Sequence, residues 1–379
     1  MPELHTHFSY EKKRKIKLKI GILGTRGIPN AYGGFEQFAQ YLSHGLIEKG
    51  HDVWVYNSSE HPFKEKNWKG VNIIHCKDWE HRIGTAGQFI YDYNCFTDAR
   101  KRNFDILLQL GYTSNSIWFW RWPDTINIMN MDGMEWKRSK YGAITKKFLK
   151  IAEWLGAKKS NVLIADSIGI EQYLLKKYKR KASFIPYGAD VVVSTNSSIL
   201  SKFKLRANDY YLIIARMEPE NNIEMIIQGY IASQQSSPLV IVGSTSNTYG
   251  SYLEKTYKHQ QVFFIGSIYE MPTINSLRSH AKLYFHGHSV GGTNPSLLEA
   301  MAASCYIAAH RNIFNASILN EDASYFTDAN EVSSILQNLH TTSEIEAKKS
   351  RNLEKIKTQY RWNIIIDAYE SVFIKVANQ

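Results

Sequence analysis

The stretch HGHSVGGTNPSLLEAMA, residues 286–302, holds the residue types best suited to grip an anion. Ser289, Gly291, Gly292, Thr293 and Asn294 lie in a loop whose backbone N–H groups can ring a phosphate. Pro295 suits a first helical turn and Asn294 can cap it, so the positive end of a helix would face the same ligand. Glu299 falls about one turn in, where a carboxylate can accept hydrogen bonds from a ribose diol. Read alone, Glu299 is equally a favourable acid near a helix start. His286 and His288 flank Gly287 but have no third ligand within reach in the sequence, so they do not define a metal site.

Three further loops carry candidates. ARMEPENNIE (215–224) places Arg216 at the end of a predicted strand, where a guanidinium suits a diphosphate oxygen; the alternative is an ion pair with Glu218 or Glu220. GTRGIPNAYGGFE (24–36) follows another strand. It has neither the G-x-G-x-x-G spacing nor a G-K-[ST] ending, but Gly33 and Gly34 directly before a helix favour close backbone approach to a ligand. DGMEWKR (132–138) offers Asp132 to orient a hydroxyl, with Glu135, Trp136 and Arg138 as a wall on which a sugar face could stack; the alternative is a capped helix start with a core tryptophan.

These loops need a frame. Strand-like runs at 15–24, 52–57, 71–76, 105–111, 125–133, 162–167 and 182–188 alternate with helical stretches at 35–50, 85–101, 141–158 and 168–178. SFIPYGADVVVSTNSSIL (183–200) breaks the pattern and reads as a linker. The alternation restarts at 210–216, 238–243, 262–266, 282–287 and 306–310, with helices near 222–234, 272–280 and 295–303, then near 330–340, 343–359 and 362–378. The pattern predicts an α/β fold of two doubly wound, Rossmann-like domains whose strand carboxyl ends face an interdomain cleft.

The bulk numbers agree. The chain has 379 residues, enough for two domains, and 44% hydrophobic content, which is ordinary for a globular protein. No run is long and apolar enough to span a bilayer, and the basic amino terminus lacks the apolar core of a secretory signal. Three scattered cysteines read as reduced thiols, so the expected location is cytoplasmic. The net charge of +11 is all in residues 1–190, which hold 30 Lys and Arg against 19 Asp and Glu; residues 191–379 hold 16 of each. A basic half faces something anionic: nucleic acid, a membrane surface or a phosphorylated substrate. Nucleic acid has only the charge in its favour, because no recognition motif accompanies it. In 137–159, Ile144, Phe148, Leu149, Ile151, Ala152 and Leu155 form a stripe beside Lys146, Lys147, Lys150, Lys158 and Lys159, which suits either a core helix with a solvated face or a helix lying on an anionic leaflet.

Arg216 with the P-E pair after it, NPSLLEAMAA and the two α/β halves resemble the GT-B glycosyltransferases of family 4. GILGTRGIPNAYGGFE and MNMDGMEWKRSKY resemble its bacterial rhamnosyltransferase-like subgroup. The resemblance covers nearly the whole chain. It implies an acceptor domain over 1–190, a nucleotide-sugar donor domain over 191–361, and a helix over 362–379 that packs back toward the first domain. It also implies retaining transfer of a sugar, with dTDP-rhamnose the first expectation for the donor and a UDP-hexose the second, to a lipid-linked or oligosaccharide acceptor of surface polysaccharide assembly. Arg216 would hold the diphosphate and Glu299 the ribose. Asn221, His288, Ser289, Gly291, Gly292, Thr293 and Asn294 would complete the donor side, with Gly33 and Gly34 approaching from across the cleft. Tyr32, Phe35, Glu36, Glu135, Trp136 and Arg138 would face the acceptor, and Asp132, Arg216 and Glu299 would form the catalytic set. No cofactor or metal is expected, since no Asp-x-Asp stands at a strand end, and the enzyme would be cytoplasmic or peripheral at the inner membrane face. Two positions depart from the family pattern: Gly291 stands where the first acid of Glu-x7-Glu is common, and Asn221 where a lysine is common. Those losses support the alternative of an inactive GT-B scaffold or carbohydrate-binding subunit.

Overall fold

KIGIL (Lys19–Leu23) is buried at all but its first residue and ILLQL (Ile106–Leu110) at every residue, as strands covered on both faces must be. The computed structural model describes residues 16–31, 33–138, 141–257 and 261–379. The amino-terminal basic segment through residue 15 and the acceptor candidate Tyr32 lie outside the described residues.

The first sheet contains β1 (Lys19–Leu23), β2 (Asp52–Ser58), β3 (Asn67–Trp68), β4 (Val71–Cys76), β5 (Ile106–Leu110), β6 (Ile126–Asn130), β7 (Val162–Ala165) and β8 (Ser183–Phe184). Their spatial order is β3-β4-β2-β1-β5-β6-β7-β8, parallel except for β3 against β4. The second sheet contains β9 (Tyr211–Ile214), β10 (Leu239–Val242), β11 (Val262–Phe264), β12 (Leu283–His286), β13 (Ile307–His310) and β14 (Ser324–Phe326), in the order β11-β10-β9-β12-β13-β14 and parallel throughout. In each sheet the strand order reverses beside its first strand, at β1/β5 and at β9/β12. Such switch points leave a crevice at the strand carboxyl ends. The predicted α/β fold of two Rossmann-like sheets is therefore what the chain adopts. The periodicity did not reveal the edge strands β3 and β14, or the helices Thr248–Thr256 and Ile313–Leu319, which are short or polar.

The last helix, Trp362–Ala377, does not stay with the second sheet. It packs on the first helix, Gly34–Glu48, of the opposite domain. Tyr369 and Phe373 are fully buried, Trp362 stacks on Tyr41 at 4.4 Å, and Phe38 lies 5.2 Å from Tyr369. Lys49 closes on Glu370 at 2.8 Å, and the Asn130 amide donates to the Tyr369 hydroxyl at 3.1 Å. One buried apolar cluster consequently runs from Ile22 and Phe38 through Tyr187 and Trp362 to Leu297 and Ile307, joining both sheets. Phe373→Ala should cost about 3–5 kcal/mol and lower the melting temperature; a melting curve unchanged from the wild type would show that this strap bears no load.

Candidate active site

Between the sheets lies a cavity of about 1510 Å³, lined by loops that follow β1, β5, β6, β9, β10 and β12. Two helix starts meet there. The first helix begins at Gly34 with Gly33 as its cap, and the helix Pro295–Ala302 begins behind Asn294. A Cβ at Gly34 would stand 3.7 Å from Pro295 Cγ, so the two helix starts face one space, although in the second Pro295 has no N–H and the N–H groups of Ser296, Leu297 and Leu298 are taken by Asn294. Asn294 is the predicted cap: its side chain accepts from Ser296 N at 2.9 Å, which occupies the oxygen that could otherwise have met a ligand.

Arg216 follows β9 at the mouth of this space. It is exposed, and its guanidinium makes no hydrogen bond or ion pair among the described residues. The ion pair with Glu218 or Glu220 is not formed; Glu220 instead lies 3.8 Å from Arg138. Asn221 is buried and donates to the Arg216 carbonyl at 2.8 Å, so it shapes the arginine's turn and brings no charge to the site. His288 lines the cavity stacked on His286 at 4.4 Å; burial, then Arg216 and Arg138, push its pKa down to about 3, so it is neutral.

The loop after β12 departs from its expected use in two places. Ser289 does not line the cavity: its amide and its hydroxyl both donate to the Glu220 carbonyl, at 3.0 and 2.8 Å, tying the loop to its own domain. Thr293 lines the cavity, but its hydroxyl donates to the Asp166 carbonyl of the other domain, so the side chain joins the domains and only the backbone is left to face the space. Gly291 and Gly292 do line the cavity. Gly291 has φ +129°, and a Cβ on the facing Gly133 would lie 2.8 Å from its Cα. Gly292 rests on the Asp166 carboxyl so closely that a Cβ there would collide with it.

Glu299 lines the cavity with both oxygens engaged. Oε2 takes the buried Arg278 guanidinium at 2.5 Å, and Oε1 accepts from Gln37 of the first domain at 3.0 Å. Arg278 thereby holds the carboxylate in place, while the Gln37 contact is one that a ribose hydroxyl could replace. Neither partner was singled out in the sequence. Arg278 is a lone cation on a helix, and Gln37 has no spacing relation to residue 299.

On the first-domain side, Asp132, Glu135, Arg138 and Phe35 line the cavity. Arg138 grips Glu135 at 2.7 Å. Burial and the nearby Glu135 raise the Asp132 pKa to about 6. Glu36 is buried and accepts from Thr25 Oγ1 at 3.1 Å and Arg26 N at 2.9 Å, so it braces the glycine-rich turn beneath any acceptor. Trp136 is a correction: it turns away from the cavity, donates to Glu153 at 2.8 Å, and packs with the Met129–Leu163 cluster under Lys150. The core-tryptophan alternative describes it. Asp166 was missed although, like Asp132, it ends a strand run. It is 1% exposed, neither carboxyl oxygen has a partner of hydrogen-bond geometry, and burial with Asp132 beside it holds its pKa well above the carboxylate range.

Comparison with known proteins places this arrangement. Residues 199–359 match the family Glycosyl transferases group 1, and residues 17–190 match Domain of unknown function (DUF1972). No curated protein matches the sequence. Among solved structures, sucrose-phosphate synthase from Thermosynechococcus elongatus aligns with a TM-score of 0.80 at 14% identity, over 95% of this chain and 99% of that one. Anabaena HepE in complex with UDP and glucose gives 0.74 at 12%, over 96% and 100%. Trehalose 6-phosphate synthase from Burkholderia multivorans gives 0.72 at 10%, over 96% and 99%. The fold is GT-B, two Rossmann-like domains around a cleft. With a glycosyl transferases group 1 domain forming one wall of that cleft, the protein is a glycosyltransferase by fold and domain.

A carboxyl that is protonated when folded and ionised when unfolded makes stability fall as pH rises above about 4. Asp166→Asn should therefore raise the melting temperature more at pH 8 than at pH 5. An equal gain at both would count against a buried, protonated Asp166.

Proposed function

We propose that the protein transfers a sugar with retention from a nucleoside diphosphate donor to a lipid-linked or oligosaccharide acceptor in surface polysaccharide assembly, as a member of family 4 and its rhamnosyltransferase-like subgroup. The favoured donor is dTDP-rhamnose, with a UDP-hexose as the alternative. The observation that carries the reading is Arg216, the single cation lining the cavity that is free of a carboxylate among the described residues; Arg26, Arg138 and Arg278 are each paired. It lines the same cavity as two helix starts, and a departing diphosphate there needs neutralising.

In this reading the diphosphate lies between Arg216 and the N–H groups of the loop 291–294, with Gly33 and Gly34 opposite. Glu299, oriented by Arg278, accepts from the ribose in place of Gln37. Neutral His288 offers a hydrogen bond to the donor. Asp132 orients a hydroxyl at the reacting centre, and Glu135 and Arg138 border the acceptor. The acceptor oxygen bonds to the anomeric carbon as the bond from that carbon to the phosphate oxygen breaks, and the hydroxyl proton passes to the departing phosphate. Catalysis here is electrostatic preorganisation, which suits a site whose strongest feature is oriented dipoles and one free guanidinium.

A ligand at 100 times its Kd stabilises the folded state by about 2.7 kcal/mol. Thermal shift with dTDP, UDP and GDP and their sugars should therefore show stabilisation selective for one nucleotide. Arg216→Ala should weaken it at least tenfold while leaving the unliganded melting temperature within a degree or two. Undiminished stabilisation in the variant would remove the phosphate assignment.

The acceptor's lipid is supported by the outer surface. No helix among the described residues is long and apolar enough to cross a membrane. In the helix Ala143–Lys159, Leu149 and Ala152 are buried, whereas Ile144, Ile151 and Trp154 are exposed beside Lys147, Lys150, Lys158 and Lys159. The segment Ser116–Arg121 packs on this helix with Trp120 exposed and with Lys159 4.8 Å from the Phe119 ring. Exposed aromatic and aliphatic side chains among lysines suit an anionic leaflet, at about 1 kcal/mol per cation near the surface. Lys147→Glu with Lys159→Glu should cut sedimentation with phosphatidylglycerol vesicles at least tenfold; unchanged, salt-sensitive sedimentation would reject this face.

A further inference from the structure

The charge of the first domain is distributed in a way its total conceals. All of the +11 excess belongs to residues 1–190, yet their contribution to the cavity wall is acidic. Glu36, Asp78, Asp92, Asp132 and Glu135 line it, against Arg26 and Arg138 among the described residues, and no described lysine does. Both arginines are engaged: Arg138 by Glu135, and Arg26 by a bidentate pair with Glu80 at 2.8 and 2.6 Å.

One arm of the cavity runs under the helix Gly87–Ala99 and the loop after β5. Its floor is made of hydrogen-bonding groups. Asp92 is 3% exposed, and its Oδ2 accepts from Ser114 Oγ at 2.5 Å. Asn115 is 2% exposed and lines the same arm; its amide nitrogen donates to Gln109 and Gly111, while its Oδ1 has no partner. Phe89 and Phe148, edge to face at 5.6 Å, form an apolar wall beside it. An unsatisfied buried acceptor atom, carboxyl oxygens and an aromatic wall match hydroxyl groups and a C–H face. They match an anion less well, because the first domain's two arginines on this wall are paired and its carboxyls, even with burial raising Asp92 to about 7 and Asp132 to about 6, carry negative charge at neutral pH.

We propose that this arm takes the acceptor as an uncharged sugar unit, and that it discriminates against sugar phosphates and uronates. Any phosphate of the acceptor then stays outside the arm, toward the lysine-bearing outer face. The inference rests on the glycosyltransferase reading of the same cleft and names the chemical class of the second substrate.

The test separates the two. Nucleotide-dependent thermal stabilisation first establishes the donor site independently. The full chain, with the donor so identified, is then offered methyl hexopyranosides and the matching hexose 6-phosphates, and transfer is followed by nucleoside diphosphate release. Release should respond to the neutral glycosides and be at least tenfold weaker, in kcat/KM, with the phosphates. Gln88→Lys, which adds a cation at the rim of the arm, should narrow that ratio, and Asp92→Asn should raise KM for the neutral acceptor with unchanged nucleotide binding. Equal or better use of the phosphates overturns the proposal. So does the absence of any response to neutral glycosides while nucleotide binding is intact, or an acceptor KM insensitive to Asp92→Asn in a variant that melts like the wild type.

Discussion

The structure depends on how closely two backbones approach across the cleft. Gly133 of one domain faces Gly291 of the other with no side chain between them, and beside it the Gly292 backbone rests on the Asp166 carboxyl. This contact brings the start of the helix Pro295–Ala302 to within reach of Gly34, so the positive ends of two helices share one cavity. It also buries Asp166 without a hydrogen-bond partner, a cost the surrounding apolar cluster and the strapping carboxyl-terminal helix must outweigh. The absence of the common acid at position 291 has a local reason in this geometry. The residue there sits at φ +129°, a conformation that favours glycine, although a Cβ at this position would itself meet open space.

Charge is sorted by place within the site. Arg138 and Arg278 neutralise Glu135 and Glu299 and hold them still, while Arg216 has no ion pair among the described residues. Asn221, where the family resemblance suggests a second cation, uses its amide to fix the turn that carries Arg216. Stabilisation of a departing diphosphate would then come from one guanidinium and backbone dipoles that need no reorganisation during the reaction. Meanwhile Lys147, Lys150, Lys158 and Lys159 are exposed on the helix Ala143–Lys159 of the first domain, which also exposes Trp154 and Ile151.

Local signals explain which site residues could be read from sequence. Arg216, Asp132, Gly33 and Gly34 sit at strand ends or a helix start, where position along the chain already implies position in the cleft. The Asn294–Pro295 start was legible for the same reason: capping is a contact between neighbours in sequence. Trp136 and Ser289 lie in the expected loops but turn from the cavity toward Glu153 and Glu220, and Thr293 lines the cavity while its hydroxyl turns to Asp166 of the other domain. Arg278 and Gln37 were missed because they matter only through Glu299.

The sequence by itself determined the alternation of strands and helices, hence two parallel sheets with a ligand crevice at their carboxyl ends, because hydrophobic period and turn chemistry are properties of short segments. It also determined which loops reach that crevice. Only the tertiary structure decided which side chains in those loops line the cavity and which lock the domains together. It alone decided that the basic half of the chain presents an acidic wall to the cleft. Those outcomes depend on contacts between separate elements, from Trp136 with Glu153 to Thr293 with Asp166 and Gln37 with Glu299, and no local pattern encodes them.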